Sequence, residues 1–323
     1  MERKNASHTP APPDRDRHRP RITVVGAVNV DITGTPLKPL IQRDSNPGRV
    51  TVTYGGVGRN IADNLARLGL NVELITVLGD DVYSAAIKND CAAHGIGLKY
   101  SRQVPGSATS SYLCINDEHG DMTVAINDMA LIDSMTPAVL AETPVAINDS
   151  DLLVIDANLP ESSIRYLAER VTVPIVAEPV STHKAARLIP VLNRLQLLKP
   201  NRIEAEILSG VPIRDESGLK RAAAALLERG VRQVCISLGR EGVYFADADS
   251  AGQISTLPGK TVNTTGCGDA FVAAGSWGVC HGLELSQIAR LGLAAAAICL
   301  EWPGAISPDM TLEHVIARSG LNL

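Results

Sequence analysis

The sequence predicts an α/β protein: a parallel sheet with helices on both faces, and a small β-sheet standing outside it. Three observations carry that prediction. Short apolar runs alternate with helical stretches along most of the chain. Two segments, about 31–54 and 107–127, break the alternation with hairpin patterns. Near the C-terminal end, a glycine-rich turn runs straight into an apolar helical run, Ala270 to Val279.

The elements follow in order. Met1 to Pro20 mixes charges with Pro10, Pro12, Pro13 and Pro20 and reads as a disordered tail; it has no apolar stretch of a secretory signal. The remainder, 21–323, reads as one domain, a length suited to a single large core. Arg21 to Val28 is a β-branched run that closes at Gly26-Ala27. Asn60 to Leu68 has helical spacing, with Ile61, Leu65 and Leu68 on one face. Val72 to Leu78 is apolar again, and Val82 to His94 is helical. Leu152–Ile155, Pro174–Ala177, Leu195–Leu198 and Gln233–Leu238 are short apolar runs suited to strands buried on both faces. Between them, Glu161–Arg170, Arg202–Ser209 and Glu216–Arg229 are helical, as are Leu283–Leu300 and Thr311–Arg318.

The exceptional segments alternate with period two. Arg49-Val50-Thr51-Val52-Thr53 is one example; Ser111-Tyr112-Leu113-Cys114-Ile115 is another, turning at Asp117-Glu118-His119-Gly120 into Met122–Ile126. Antiparallel hairpins of this kind suit a lid over a cleft, a packing excrescence or a dimer interface.

Composition excludes several classes. A net charge of −5 argues against general nucleic-acid binding, which needs a basic face. No apolar run has the length of a membrane span. The six cysteines are scattered without a C-x-x-C pair, as reduced thiols of a cytoplasmic protein would be.

Five constellations carry chemistry. In Gly266-Cys267-Gly268-Asp269 the turn aims backbone N–H groups and a helix dipole at one point, with a carboxylate at the rim. Such a cradle suits phosphoryl transfer to a hydroxyl; the plainer reading is a turn with an Asp cap. Gly26-Ala27-Val28-Asn29-Val30-Asp31 closes the first strand, where ligands of open sheets bind; Asn29 and Asp31, two apart, point the same way on an extended chain and can grip neighbouring hydroxyls. Gly55-Gly56-Val57-Gly58-Arg59-Asn60 precedes a helix; close approach of backbone to a sugar, with Asn60 as ligand, competes with a dinucleotide loop partnered by Glu73. The third glycine of that loop is absent. Asn201-x-x-Glu204 matches a capping box, or places an amide and a carboxylate near phosphates and a hydrated Mg²⁺. Ser237-Leu238-Gly239-Arg240-Glu241-Gly242 ends a strand in a glycine turn, which is either a hairpin turn or room for a nucleotide.

Taken in chain order, from Asn29 and Asp31 through Gly55–Asn60, Asn201-x-x-Glu204 and Ser237–Gly242 to Gly266–Asp269, these motifs resemble the ribokinase-type (PfkB) family of sugar and nucleoside kinases, from about Arg21 to the C-terminus. The resemblance implies a Rossmann-like α/β domain with a β lid. It implies Asp269 as catalytic base and Gly266, Cys267, Gly268 and Asp269 as anion hole. It implies Asn201 and Glu204 near Mg²⁺ and phosphate, and Ser237, Gly239 and Gly242 near ATP. For the acceptor it implies Asn29, Asp31, Gly55, Gly56 and Asn60. A homodimer joined through the lid is also implied.

Within the family, several phrases are similar to the pseudouridine-kinase subgroup: Asp44-Ser45-Asn46-Pro47-Gly48, Thr109-Ser110-Ser111-Tyr112-Leu113 and Ala125-Ile126-Asn127-Asp128-Met129. Asn46, Ser111 and Asn127 are then candidates for the polar contacts of a base. An aromatic content of 3% suits an amide-lined pocket better than a purine sandwich. The chain departs from the family at two places. Cys267 stands where an alanine is usual, which leaves the backbone N–H chemistry unchanged. Asn263 stands where many relatives carry an aspartate, which weakens the case for a monovalent cation such as K⁺.

Overall fold

The computed structural model describes residues 19–323. The expected tail, residues 1–20, lies outside the described residues except for its last two.

The main sheet has nine strands. In spatial order they are Ala251–Ile254, Val243–Ala246, Gln233–Ser237, Leu195–Leu198, Ile175–Glu178, Leu152–Asp156, Arg21–Val25, Asn71–Ile75 and Ile96–Gly97. Seven of these run parallel, and the hairpin of Val243–Ala246 and Ala251–Ile254 closes one edge antiparallel. The expected core strands are therefore present, and the hairpin edge is an addition. The central strands are buried along their whole length, since helices cover both faces. One core joins Val24, Val154 and Leu197 to helices Val57–Arg67, Cys267–Cys280 and Leu285–Leu300. The other joins Ile155, Ala177 and Ile236 to helices Glu161–Arg170, Arg202–Ser209 and Glu216–Glu228.

The lid is a separate four-stranded sheet in the order Gly48–Gly55, Asn29–Pro36, Ser111–Asn116, Met122–Asp128. Its two hairpins are antiparallel as expected. They are joined by a parallel pairing of Asn29–Pro36 with Ser111–Asn116. Asn29 and Asp31 were expected at the end of the first core strand. That strand stops at Val25, and both residues stand on the first lid strand. The intervening turn needs Gly26, because a Cβ there would lie 2.3 Å from Asp156 Oδ2.

The lid's register sorts its side chains. Thr53, Asp31, Tyr112 and Asn127 form one row across the four strands. The next row, Val52, Ile32, Leu113 and Ile126, points to the other face. One face is thus polar, and the other is apolar and partly exposed.

Candidate active site

A cavity of about 990 Å³ lies between the lid's polar face and the carboxyl ends of the core strands. Its centre is the start of helix Cys267–Cys280, which begins three residues earlier than the apolar run alone predicts. Gly266 caps it with φ 82°, and no side chain satisfies the first-turn amides. A Cβ on Gly266 would come within 2.1 Å of the Ala305 carbonyl oxygen, so only glycine makes this turn. The Cys267 N–H donates to Thr264 O at 3.4 Å. The Gly268 and Asp269 amides, with no partner inside their own helix, remain to face an anion.

Asp269 is 8% exposed, and its Oδ2 accepts a bond of 2.9 Å from Asn60 Nδ2. Burial, reinforced by the Glu178 carboxylate, pushes its pKa up to about 8. A poised carboxyl beside an amide cradle can take a proton from a hydroxyl while the cradle holds the group being transferred.

Asn60 reaches Asp269 from helix Val57–Arg67, which starts at Gly56 with φ 95°. Gly58 of that helix packs on Gly26: a Cβ would meet the Gly26 carbonyl carbon at 2.8 Å. Arg59, buried beside them, donates to Tyr54 O at 2.8 Å and pairs with Asp63 and Asp90, locking helix to lid strand. Glu73, the partner a dinucleotide loop requires, instead accepts from the Tyr100 amide at 3.3 Å, beside the far strand edge.

Above Asp269 the lid contributes Asn29, Asp31, Tyr112 and Asn127 to the cavity wall. Asn29 Nδ2 donates to Asp31 Oδ1 at 2.7 Å. Burial raises the Asp31 pKa, only partly opposed by that bond and by the Arg59 charge.

On the other side, Asn201, Glu204, Ser237, Gly239 and Gly242 line the wall. The capping box is present: Asn201 Oδ1 accepts from the Glu204 amide at 2.9 Å, and Glu204 Oε2 from the Asn201 amide at 2.8 Å. The Ser237–Gly242 segment is also the hairpin turn into Val243–Ala246. Both plainer readings hold, and the same residues line the cavity. Val243, Leu257, Leu293 and Ala296 add an apolar wall. An apolar slot, an amide cradle and hard carboxylate and amide oxygens make a donor set that fits a nucleotide with Mg²⁺.

Three expected site residues stand elsewhere. Asn46 braces its own loop, exchanging bonds of 2.8 and 2.9 Å with Ile41. Ser111 pairs with Val30 and Asp128, so it lies on the lid face opposite Tyr112. Gly55 lies under Asp31; a Cβ there would fall 2.0 Å from Asp31 Oδ2. Asn263 bonds through both ends of its amide, accepting from the Thr265 N–H at 3.0 Å and donating to Pro303 O at 2.7 Å.

Sequence reasoning missed Asn158, Glu178, Lys184 and Lys199, which also line the cavity. The signal was available: Asp156, Glu178 and Lys199 are charged residues at the carboxyl ends of apolar strands, where ligands of parallel sheets bind. Lys184 Nζ donates to Asn158 Oδ1 at 2.6 Å.

The profile of pfkB family carbohydrate kinases matches residues 19–312. The chain is 33% identical over 305 residues to the pseudouridine kinase of Escherichia coli K12, covering 93% of this chain and 97% of that one. It is 26% identical over 296 residues to the guanosine-inosine kinase of Exiguobacterium acetylicum, covering 90% and 98%. The ribokinase of Thermotoga maritima matches it structurally with a TM-score of 0.79 at 25% identity, over 94% of this chain and all of that one.

Proposed function

Because the chain belongs to the pfkB family of carbohydrate kinases, with a ribokinase-like fold, and is therefore a phosphotransferase, we propose that it transfers the γ-phosphoryl group of ATP to the 5′-hydroxyl of pseudouridine. The observation that carries this reading is the row of Asp31, Tyr112 and Asn127 facing the cavity that holds Asp269. Asn29 and Asp31 would grip the ribose hydroxyls. Asn127 offers an amide for the ring N–H and carbonyl groups, and Tyr112 a ring for stacking. Likeness to the Escherichia coli pseudouridine kinase supports the choice of base. Likeness to a guanosine-inosine kinase and a ribokinase keeps another nucleoside, or ribose itself, as the second reading.

In this reading Asp269 accepts the proton of the attacking hydroxyl and Asn60 holds its carboxylate in line. The Gly268 and Asp269 amides receive the charge of the transferring group. Asn201 and Glu204 hold the nucleotide side, where Mg²⁺ would neutralise phosphate charge. Thr256, Gly239 and Gly242 border the space left for the base of ATP. Closure of the lid would keep water from the phosphoryl group.

The apolar lid face suggests a homodimer. Val50, Val52, Val124 and Ile126 are 69%, 46%, 54% and 64% exposed there, an area that two copies would cover. All six cysteines are free thiols, in keeping with a reducing, cytoplasmic setting.

Pseudouridine keeps an N1–H donor that uridine lacks. A buried acceptor left unpaired costs roughly 1–3 kcal/mol, a ten- to hundredfold preference. Values of kcat/KM for pseudouridine, uridine, guanosine and ribose under one set of conditions test the assignment. Equal or better use of ribose or guanosine would leave only the broader family activity.

A further inference from the structure

A buried ion pair lines the cavity and has no part in the reading above. Lys199 directly follows strand Leu195–Leu198, and Glu178 ends strand Ile175–Glu178. The two strands are parallel neighbours, so both side chains emerge at the same carboxyl edge. Lys199 Nζ lies 3.1 Å from Glu178 Oε2, and each side chain is only 7% exposed. Both belong to the cavity wall.

The ammonium also rests against the anion turn. A Cβ built on Gly268 would lie 2.9 Å from Lys199 Nζ. Glycine at 268 therefore leaves a gap that the ammonium fills, beside the amides that face the anion. Burial works against the charge. The carboxylates of Glu178, Glu204 and Asp269 outweigh it, and the pKa of Lys199 stands above its ordinary value.

Stability does not account for such a pair. Taking two charges out of water costs several kcal/mol per ion, and apolar residues of similar volume often serve the fold as well or better. Chemistry does account for it. The oxygens of a phosphoryl group in transfer carry charge that amides meet only with partial charges. An ammonium brings a full charge and three rotatable donors. Held by Glu178 in an ion contact, the ammonium keeps its donors free to reach an oxygen over Gly268.

We propose that Lys199 is a catalytic residue that donates to a non-bridging oxygen of the transferring phosphoryl group, and that Glu178 is a positioning residue that holds the ammonium against Gly268. The proposal rests on the reading of the Gly266–Asp269 turn as the phosphoryl-transfer site.

The test uses Lys199→Met, Glu178→Gln and the double variant in the full chain, with Asp269→Asn alongside. Lys199→Met should bind the acceptor within a few-fold of wild type by calorimetry. Its kcat should fall ~10²–10³-fold, the usual cost of removing one charge-stabilising donor. Inhibition by ADP with aluminium fluoride, a mimic of the transferring group, should weaken by a similar factor. Glu178→Gln should lower kcat less and move the acidic limb of the kcat/KM profile to lower pH, because a carboxylate near Asp269 is gone. If Lys199→Met fails to fold with Glu178 left unpaired, the double variant carries the test: it should fold and stay slow. A folded double variant within about threefold of wild-type kcat, or a Glu178→Gln profile that does not move, overturns the assignment. Asp269→Asn separates the failures. If it is inactive while the double variant is active, only the lysine assignment falls; if it is itself active, the site reading falls with it.

Discussion

Replacing Asp269 with asparagine separates what the carboxylate does for chemistry from what it costs the fold. Asp269 is buried against Asn60. Burial and the Glu178 carboxylate push its pKa from the usual 3.8 up to about 8. The folded chain therefore keeps a proton that the unfolded chain releases. Between those two pH values the folded state binds more protons, so stability falls as pH rises, and the cost is complete only above about pH 8. Each pH unit corresponds to about 1.4 kcal/mol, so the span from pH 5 to 8 is worth about 4 kcal/mol. Unfolding entropy of ~2.1 cal/mol/K per residue over roughly 300 residues is about 0.6 kcal/mol/K, which converts this to about 6 °C. Asparagine has the same shape and no charge. The Tm of Asp269→Asn should therefore exceed that of wild type by a margin that widens by about 6 °C between pH 5 and pH 8. Turnover should fall ~10²–10⁴-fold over the same range, because an amide cannot accept the hydroxyl proton. Scanning calorimetry of both proteins across pH, with kcat from ADP release, measures the two effects in one series. A Tm gap that does not change with pH refutes the burial argument. Turnover within a few-fold of wild type refutes the base.

Cys267→Ala should keep near-normal activity, since its N–H still bonds Thr264 O. The neighbouring Cys299 thiol, opposed by burial and helped by the Lys199 charge, lowers the Cys267 pKa; iodoacetamide should therefore inactivate wild type, with protection by ATP, and equal inactivation of the alanine variant would point to another thiol. Tyr112→Ala should weaken nucleoside binding about tenfold through lost stacking, while Ser111→Ala on the opposite lid face should leave it nearly unchanged; equal losses by calorimetry would contradict the register argument. If two copies pair through the exposed apolar lid face, the wild type should sediment as a dimer and Ile126→Asp, which sets a charge in that face, as a monomer; a monomeric wild type would refute the homodimer, and an unshifted dimer would place the interface elsewhere.

Local pattern was legible where one element settled its own structure. Glu161–Arg170 and Arg202–Ser209 run as their periodicity predicts, the second started by the capping box of Asn201 and Glu204. The lid hairpins were legible because alternation and turn residues act over a few positions. The helix at Cys267 was read three residues short, because glycines carry no apolar period.

The family resemblance carried by the motifs implied a shared site for Asp269, Asn60, Asn201 and Ser237, and all four line one cavity, each at or next to a strand end or helix start. Which side chains face that cavity was decided only in three dimensions. Ser111 and Tyr112 differ by one position, and the period of a strand is two; the partner strand, about eighty residues away, determines which of them points inward. The same holds for Lys199 and Glu178. Each is a lone charge at the end of an apolar run, and nothing local says that the runs are neighbours. Their meeting over Gly268 depends on strand order, and strand order depends on the packing of the whole sheet.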